Sequence, residues 1–392
     1  MKEICFYSIA SHLGGAERSL LDLVSRLEER SGGRYRPWIL LPQTRGSLVE
    51  ALEQNKIPFS SLKMPVTFFE MSRAKPMQAV ARSLVSLPGM SVYAARLLWA
   101  IRKRSPAILH TTGIKCHALA AELRPAYRRP LVIHLRDIFK NGPVQAYFKI
   151  LKGRSRAHFI ANSKATAAPF GEIPVVYNGL DARIYHKAPN NELHLRFGIP
   201  PGTPIVGILG VLARWKGQVE FIKMAKRLIE AGTNAHFVII GDEIYDTSGE
   251  RGFRGVLEKQ VSESGLTQRV HLAGYAKDPA TALNGIDVLV HASIRPEPFG
   301  RVVIEAMAVG IPIVASALGG VLEIITDESD GLLFKADGEE PDAEMAAKVN
   351  RILMDKVLAE KLMAAGHRTF SEKFTIDRHV DRIIDIYDGI TA

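Results

Sequence analysis

The chain has 392 residues, 47% of them hydrophobic and 23% charged, with 2 cysteines and a formal charge of +10 at pH 7. That length predicts two domains. The composition is that of a soluble globular protein, and no apolar run approaches the ~20 residues a membrane span needs. Cys5 and Cys116 lack metal-like or redox spacing and read as small core residues of a reduced, cytosolic protein. The first residues show no long apolar region or cleavage site of a secretion signal, so the chain is expected to work inside the cell. Charge is uneven: residues 1–180 carry 27 Lys and Arg against 11 Asp and Glu, whereas residues 181–392 carry 24 against 30. So basic a first half is expected to draw an anionic partner, either a phosphorylated or lipid-linked acceptor or the anionic face of a membrane. Nucleic acid is disfavoured because no recognition helix, finger or aromatic RNA-binding signature accompanies the charge.

Residues 2–9 predict a buried strand. His12, Gly14, Gly15 and Glu17 then open an amphipathic helix carrying Leu20, Leu21, Val24 and Leu27. Strand, glycine turn and helix form the phosphate-facing corner of a doubly wound domain, although the dinucleotide G-x-G-x-x-G is absent. Residues 38–42 predict the next strand. Residues 66–104 mix Phe68, Phe69, Tyr93, Leu97, Trp99 and Ile101 with Arg73, Lys75, Arg82, Arg96, Arg102, Lys103 and Arg104. Such a stretch is either a membrane-surface helix or a core-facing helix with a basic back. Residues 107–110 and 131–134 predict further strands, and His134 stands at the end of the second, with Arg136 and Asp137 beyond it. The C-terminal ends of strands are where open α/β sheets bind ligands. A boundary is expected at 185/186.

The second half repeats the rhythm, with strands at 205–210, 235–240, 270–273, 286–293 and 311–315 and a helical end at 341–389. This pattern requires a largely parallel sheet with right-handed crossovers. Arg214-Trp-Lys216-Gly leads from its first strand into a helix. Glu297-Pro-Phe-Gly-Arg-Val-Val-Ile-Glu305 feeds a helix start. Pro298 keeps Glu297 on the loop, Gly300 permits close backbone approach, and the amides from Phe299 to Val302 are unsatisfied donors suited to a phosphate. Glu305 lies in an apolar run, where an unpaired carboxylate costs several kcal/mol. It either reaches solvent, as in an ordinary Arg301–Glu305 helix pair, or accepts hydrogen bonds from something specific.

This E-(seven residues)-E segment resembles the signature of the retaining family-4 glycosyltransferases. The resemblance extends over nearly the whole chain and is strongest over 205–335. It implies a GT-B fold, with two Rossmann-like doubly wound domains facing across a cleft. The first is an acceptor domain over 1–185; the second is a nucleotide-sugar domain over 186–372, and a helix over 373–392 crosses back to the first. It further implies transfer of a sugar from a nucleotide-diphosphate sugar to an acceptor, with retention and without a metal or other cofactor, in cell-envelope polysaccharide or glycolipid synthesis. By the same resemblance Glu297 orients the donor sugar, Glu305 accepts from the ribose hydroxyls, and Gly274 and Tyr275 line the base. Gly15 faces the distal phosphate and sugar, and His134 contacts the sugar or acceptor. Lys216, Arg214 and the amides of Phe299, Gly300, Arg301 and Val302 neutralise the leaving phosphate. One departure stands out: the family often carries an arginine right after the glycine that ends the first C-domain strand, and here Val211 occupies that place, with Arg214 three residues later. Whether Arg214 reaches the phosphates or points to solvent is open at this stage.

Two rivals share the fold. A nucleotide-sugar epimerase wants a paired acid and histidine, and a phosphorylase wants a lysine for pyridoxal phosphate; the sequence shows no clear set for either. A noncatalytic sugar-nucleotide sensor is disfavoured by Glu297, Glu305 and Lys216. The expected location is the cytoplasm, with peripheral attachment to the inner face of the membrane.

Overall fold

The computed structural model describes residues 1–9, 13–65, 76–243 and 251–392, the side chains of 76–88 excepted. His12, Phe68, Phe69, Arg73 and Lys75, and the side chain of Arg82, therefore lie outside the described residues. The chain divides into two units, one of Met1–Gly179 with Ile376–Ala392 and one of Leu180–Thr375.

The first unit is built on six parallel strands: β1 (Lys2–Ser8), β2 (Tyr35–Leu41), β3 (Phe59–Ser61), β4 (Ile108–Thr112), β5 (Leu131–Leu135) and β6 (His158–Ala161). They lie in the order β3-β2-β1-β4-β5-β6. Between them run α1 (Gly15–Arg30), α2 (Ser47–Gln54), α3 (Pro76–Arg104), α4 (Ile114–Tyr127), α5 (Pro143–Arg154) and α6 (Lys164–Ala167). Central strands such as β5 are buried at every residue, which is why β5, His134 apart, reads as an apolar run rather than an alternating one. Cys5 and Cys116 are buried, unbridged thiols in one of the cores, and burial pushes the Cys5 thiol up. In the described half of α3, Tyr93, Leu97 and Ile101 recur at helical spacing and enter that core. Trp99, Arg96, Lys103 and Arg104 stay exposed on the opposite side. The 89–104 stretch is thus a core-facing helix with a basic back.

The second unit repeats the plan with β7 (Ile205–Leu209), β8 (His236–Ile240), β9 (Val270–Gly274), β10 (Val288–His291), β11 (Ile313–Ser316) and β12 (Leu332–Phe334). Their order is β12-β11-β10-β7-β8-β9, again all parallel. Counted from each unit's own first strand, the two orders are the same doubly wound 3-2-1-4-5-6. The helices are α7 (Glu192–Phe197), α8 (Gln218–Glu230), α9 (Phe253–Glu263), α10 (Pro279–Asn284), α11 (Arg301–Val309), α12 (Pro341–Met354) and α13 (Lys356–Lys373).

The last helix, α14 (Ile376–Thr391), packs on α1 in the first unit. Its Val380, Ile383, Ile384 and Tyr387 join Ile4, Phe6, Leu20 and Leu23 in one core. Two exposed ion pairs, Arg30 with Asp381 and Arg34 with Asp388, flank the contact. The unit boundary falls at 179/180 rather than the expected 185/186, and the physical reason is local. Leu180 N donates to Phe374 O at 2.9 Å, and Tyr185 Oη donates to Glu305 at 3.1 Å, so 180–185 are bonded into the second unit. Phe374 also packs edge-on against Phe299, which keeps 373–375 there and starts the returning helix at Ile376.

Candidate active site

The strand order of the second unit reverses between β7 and β10, and at such a switch point the strand ends open onto a crevice that binds ligands. Both neighbours deliver polar groups there. After β7 the chain makes a short 3-10 turn over Arg214–Lys216 and then passes through Gly217 into α8. Gly217 is left-handed, with φ 77°, and a Cβ there would sit 1.9 Å from the carbonyl oxygen of Ala292. Ile294 N also donates to Trp215 O at 2.9 Å. These contacts press the turn onto the end of β10 and bring Lys216 beside His291.

A second close backbone approach fixes the carboxylate. Gly319, with φ 61°, forms a bridge with Glu297, and Gly320 N donates to Glu297 O at 2.9 Å. A Cβ on Gly319 would come within 2.4 Å of that same oxygen, and one on Gly320 within 2.6 Å of Phe299 Cα. The pair of glycines after β11 thus cradles the 297–299 loop.

Glu297 is 7% exposed. Its Oε1 accepts from Lys216 Nζ at 2.6 Å, from His291 Nε2 at 3.0 Å and from the Ser293 hydroxyl. Burial alone would raise this carboxyl. The Lys216 ammonium and His291 override it and hold Glu297 well below the usual carboxylate range. The site therefore presents an ionised, buried acceptor beside a cation. His291 and Ser293 were missed as its partners; the signal was a polar pair at the end of an apolar strand, six and four residues before the glutamate.

Glu305 settles the alternative left open above. It is 4% exposed, and its Oε1 accepts from Arg301 Nε at 2.7 Å and from Tyr185 Oη. The Arg301–Glu305 pair is real but buried, so it differs from a solvated surface pair. Phe299 is buried and Gly300, with φ 99°, caps α11. The helix itself begins at Arg301. Arg214 is exposed and its guanidinium lies over the Phe253 ring at 5.1 Å. Gly274 closes β9, its amide oxygen accepts from Gly241 N at 2.8 Å, and Tyr275 beyond it is 44% exposed. Among the described residues no group of three His, Cys, Asp or Glu is arranged to hold a metal ion.

Comparison with known proteins follows this division. Residues 190–369 match the family model described as Glycosyl transferases group 1. The chain is similar to a 2-deoxystreptamine glucosyltransferase of Streptomyces kanamyceticus, 32% identical over 56% of this chain and 54% of that one. It is also similar to an uncharacterised glycosyltransferase of Methanocaldococcus jannaschii, 26% identical over 71% and 74%. The chain spans about half the length of several curated relatives it matches. Among solved structures, Anabaena HepE in complex with UDP and glucose superposes with a TM-score of 0.83 at 24% identity, over 99% of this chain and 100% of that one. The fold is GT-B.

In this GT-B chain the remaining expected residues lie in the first unit. Gly15 is the exposed first residue of α1, and a Cβ there meets nothing within 4 Å. Among the described residues nothing demands glycine at that place. Gly15→Ala is expected to leave the melting temperature unchanged or slightly higher, since a tolerated Gly→Ala change gains about 0.4–1 kcal/mol. A thermal melt beside a transfer assay checks this, and any loss of turnover then reports ligand space. His134 lies at the C-terminal end of β5, but it is fully buried, enclosed with His110 and His379 rather than open at the strand edge. The sequence could not show that α14 supplies the third ring.

Proposed function

We propose that this chain is a retaining glycosyltransferase of the family-4 kind. It moves a sugar from a nucleotide-diphosphate sugar to an acceptor without a metal, in cell-envelope polysaccharide or glycolipid synthesis. The observation that carries this reading is the ionised, buried Glu297 held against Lys216 at the β7/β10 switch point. Breaking the bond between sugar and phosphate builds negative charge on the phosphate and positive charge on the anomeric carbon. Lys216 and the amides at the start of α11 meet the first, and preorganised donors of this kind are worth a few kcal/mol each. Glu297 accepts hydroxyls of the donor sugar and steadies the second. Glu305, already an acceptor for Arg301 and Tyr185, takes the ribose hydroxyls, with Gly274 and Tyr275 against the base.

UDP-glucose is the first donor to test, since HepE is solved with UDP and glucose and the Streptomyces relative is a glucosyltransferase. A thermal-shift panel of nucleotide sugars should show stabilisation that rises with concentration. NMR of the product should then show the donor's anomeric configuration kept, and EDTA should leave the rate unchanged. Inversion, or loss of turnover on chelation, ends this account.

One observation favours a second reading: His291 lies 3.0 Å from Glu297, and an acid beside a histidine is what a nucleotide-sugar epimerase wants. Incubating UDP-glucose in heavy water without acceptor distinguishes the two, because an epimerase incorporates deuterium at a ring carbon and a transferase does not.

For the acceptor, the basic first unit suggests an anionic membrane surface on the cytoplasmic side. A groove of about 820 Å³ beside α3 is lined by Trp38, Leu62, Arg96, Trp99, Lys103 and Arg104. Lys103 lies 4.7 Å from the centre of the Trp99 ring, and Trp99 is 62% exposed. Among the described residues no helix is long and apolar enough to cross a membrane. Flotation with phosphatidylglycerol vesicles is expected to carry the protein up. Arg96→Ala with Lys103→Ala should weaken that binding by about 2 kcal/mol, roughly thirtyfold. Equal flotation with neutral vesicles ends the membrane assignment.

A further inference from the structure

The hydrogen bonds to Glu297 fall on one side of its carboxylate. Oε1 accepts from Lys216 Nζ at 2.6 Å, from His291 Nε2 at 3.0 Å and from the Ser293 hydroxyl, and Oε2 accepts from none of the three. One of these donors is itself held in place. The second ring nitrogen of His291, Nδ1, lies 3.4 Å from the Ser316 hydroxyl. His291 ends β10 and Ser316 ends β11, and the two strands pair in parallel with His291 opposite Ala315. His291, Ser293 and Ser316 are all buried, and all belong to the second unit.

An ionised carboxylate can only accept a hydrogen bond, so His291 carries a proton on Nε2 and that proton is committed to Glu297. A general base needs a bare nitrogen within reach of the proton it removes. The one nitrogen of His291 that can be bare is Nδ1, and it faces the hydroxyl of a fully buried serine. The ring thus offers no lone pair on the side of the carboxylate. The acid and the histidine lie side by side, but in an orientation that aligns the acid and withholds the base.

We propose that His291 is a positioning residue for Glu297 and takes no part in proton transfer. Ser316 fixes the ring, the ring and Ser293 clamp Oε1, and the carboxylate is held in one orientation with Oε2 outside the clamp. The use of Glu297 in sugar transfer rests on the transferase reading; the direction of the bond from His291 does not. The same orientation weighs against the epimerase reading, which needs a histidine able to accept a proton.

The test joins nitrogen NMR of the full chain, labelled with 15N-histidine and assigned with His291→Gln, to kinetics with UDP-glucose. The NMR is expected to show His291 protonated at Nε2. Glutamine brings an amide N–H close to the place of Nε2–H, whereas leucine fills the space without a donor. Turnover should fall about threefold in His291→Gln and about thirtyfold in His291→Leu, with UDP affinity changed less than about twofold in both. Ser316→Ala releases the ring and should lose about threefold. General damage to the fold would weaken UDP as well, and a histidine that moves protons would lose as much with glutamine as with leucine. A bare Nε2 in the unmodified chain overturns the proposal, as do equal losses in the glutamine and leucine variants. If no nucleotide sugar binds or turns over while Nε2 is protonated, the transferase reading fails and the orientation of His291 stands.

Discussion

Glu297→Gln is expected to lower turnover by about 10²–10³-fold, the scale for losing one preorganised charged group in a transition state. UDP affinity should change little, because the variant removes a group assigned to the sugar. Lys216→Ala should lose a similar factor and weaken UDP as well. The double variant should lose far less than the product of the two, since the groups share one hydrogen bond at 2.6 Å and act as a unit. Steady-state kinetics on the four proteins checks this, and full turnover by either single variant refutes the site. The same pair carries a pH signature. Glu297 is held well below its ordinary 4.5, so its contribution to stability is complete above about pH 4.5 and drains away as acid approaches the depressed value. The melting temperature of the unmodified chain should therefore fall faster below pH 4.5 than that of Glu297→Gln.

A large structural loss is expected at Gly217. Alanine there must take a left-handed conformation, at about 1–2 kcal/mol, and its Cβ would overlap the Ala292 carbonyl at 1.9 Å. Relieving that overlap shifts the backbone at about 1–3 kcal/mol. The sum, about 2–5 kcal/mol, is measurable as a lowered urea midpoint. Activity should fall further than stability, because the displaced segment carries Lys216. An unchanged midpoint would show that the turn does not rest on β10.

The doubly wound plan was legible because its strands are buried on both faces: β7 reads as an unbroken apolar run, and β5 and β10 as apolar runs interrupted only by a histidine, and glycine turns marked the ends of several strands. Glu297 and Lys216 were legible as site residues from local chemistry, a carboxylate before proline and a lysine before glycine. Their mutual contact was not, because 81 residues separate them and the Gly217–Ala292 approach and the Ile294–Trp215 hydrogen bond that bring the segments together are tertiary. The same holds for Tyr185 on Glu305, 120 residues apart. His134 shows the opposite failure. Its position at a strand end was read correctly, but its enclosure depends on His379, which arrives from the far end of the chain.

The returning helix has a consequence for how this protein is made. Residues 180–375 must all leave the ribosome before Val380, Ile383 and Tyr387 can cover Ile4, Phe6 and Leu20. Domains that emerge first ordinarily finish folding first. Here the earlier-made half keeps an uncovered oily face until the helix over 376–391 has emerged, so the nascent chain is most in need of a chaperone in that interval.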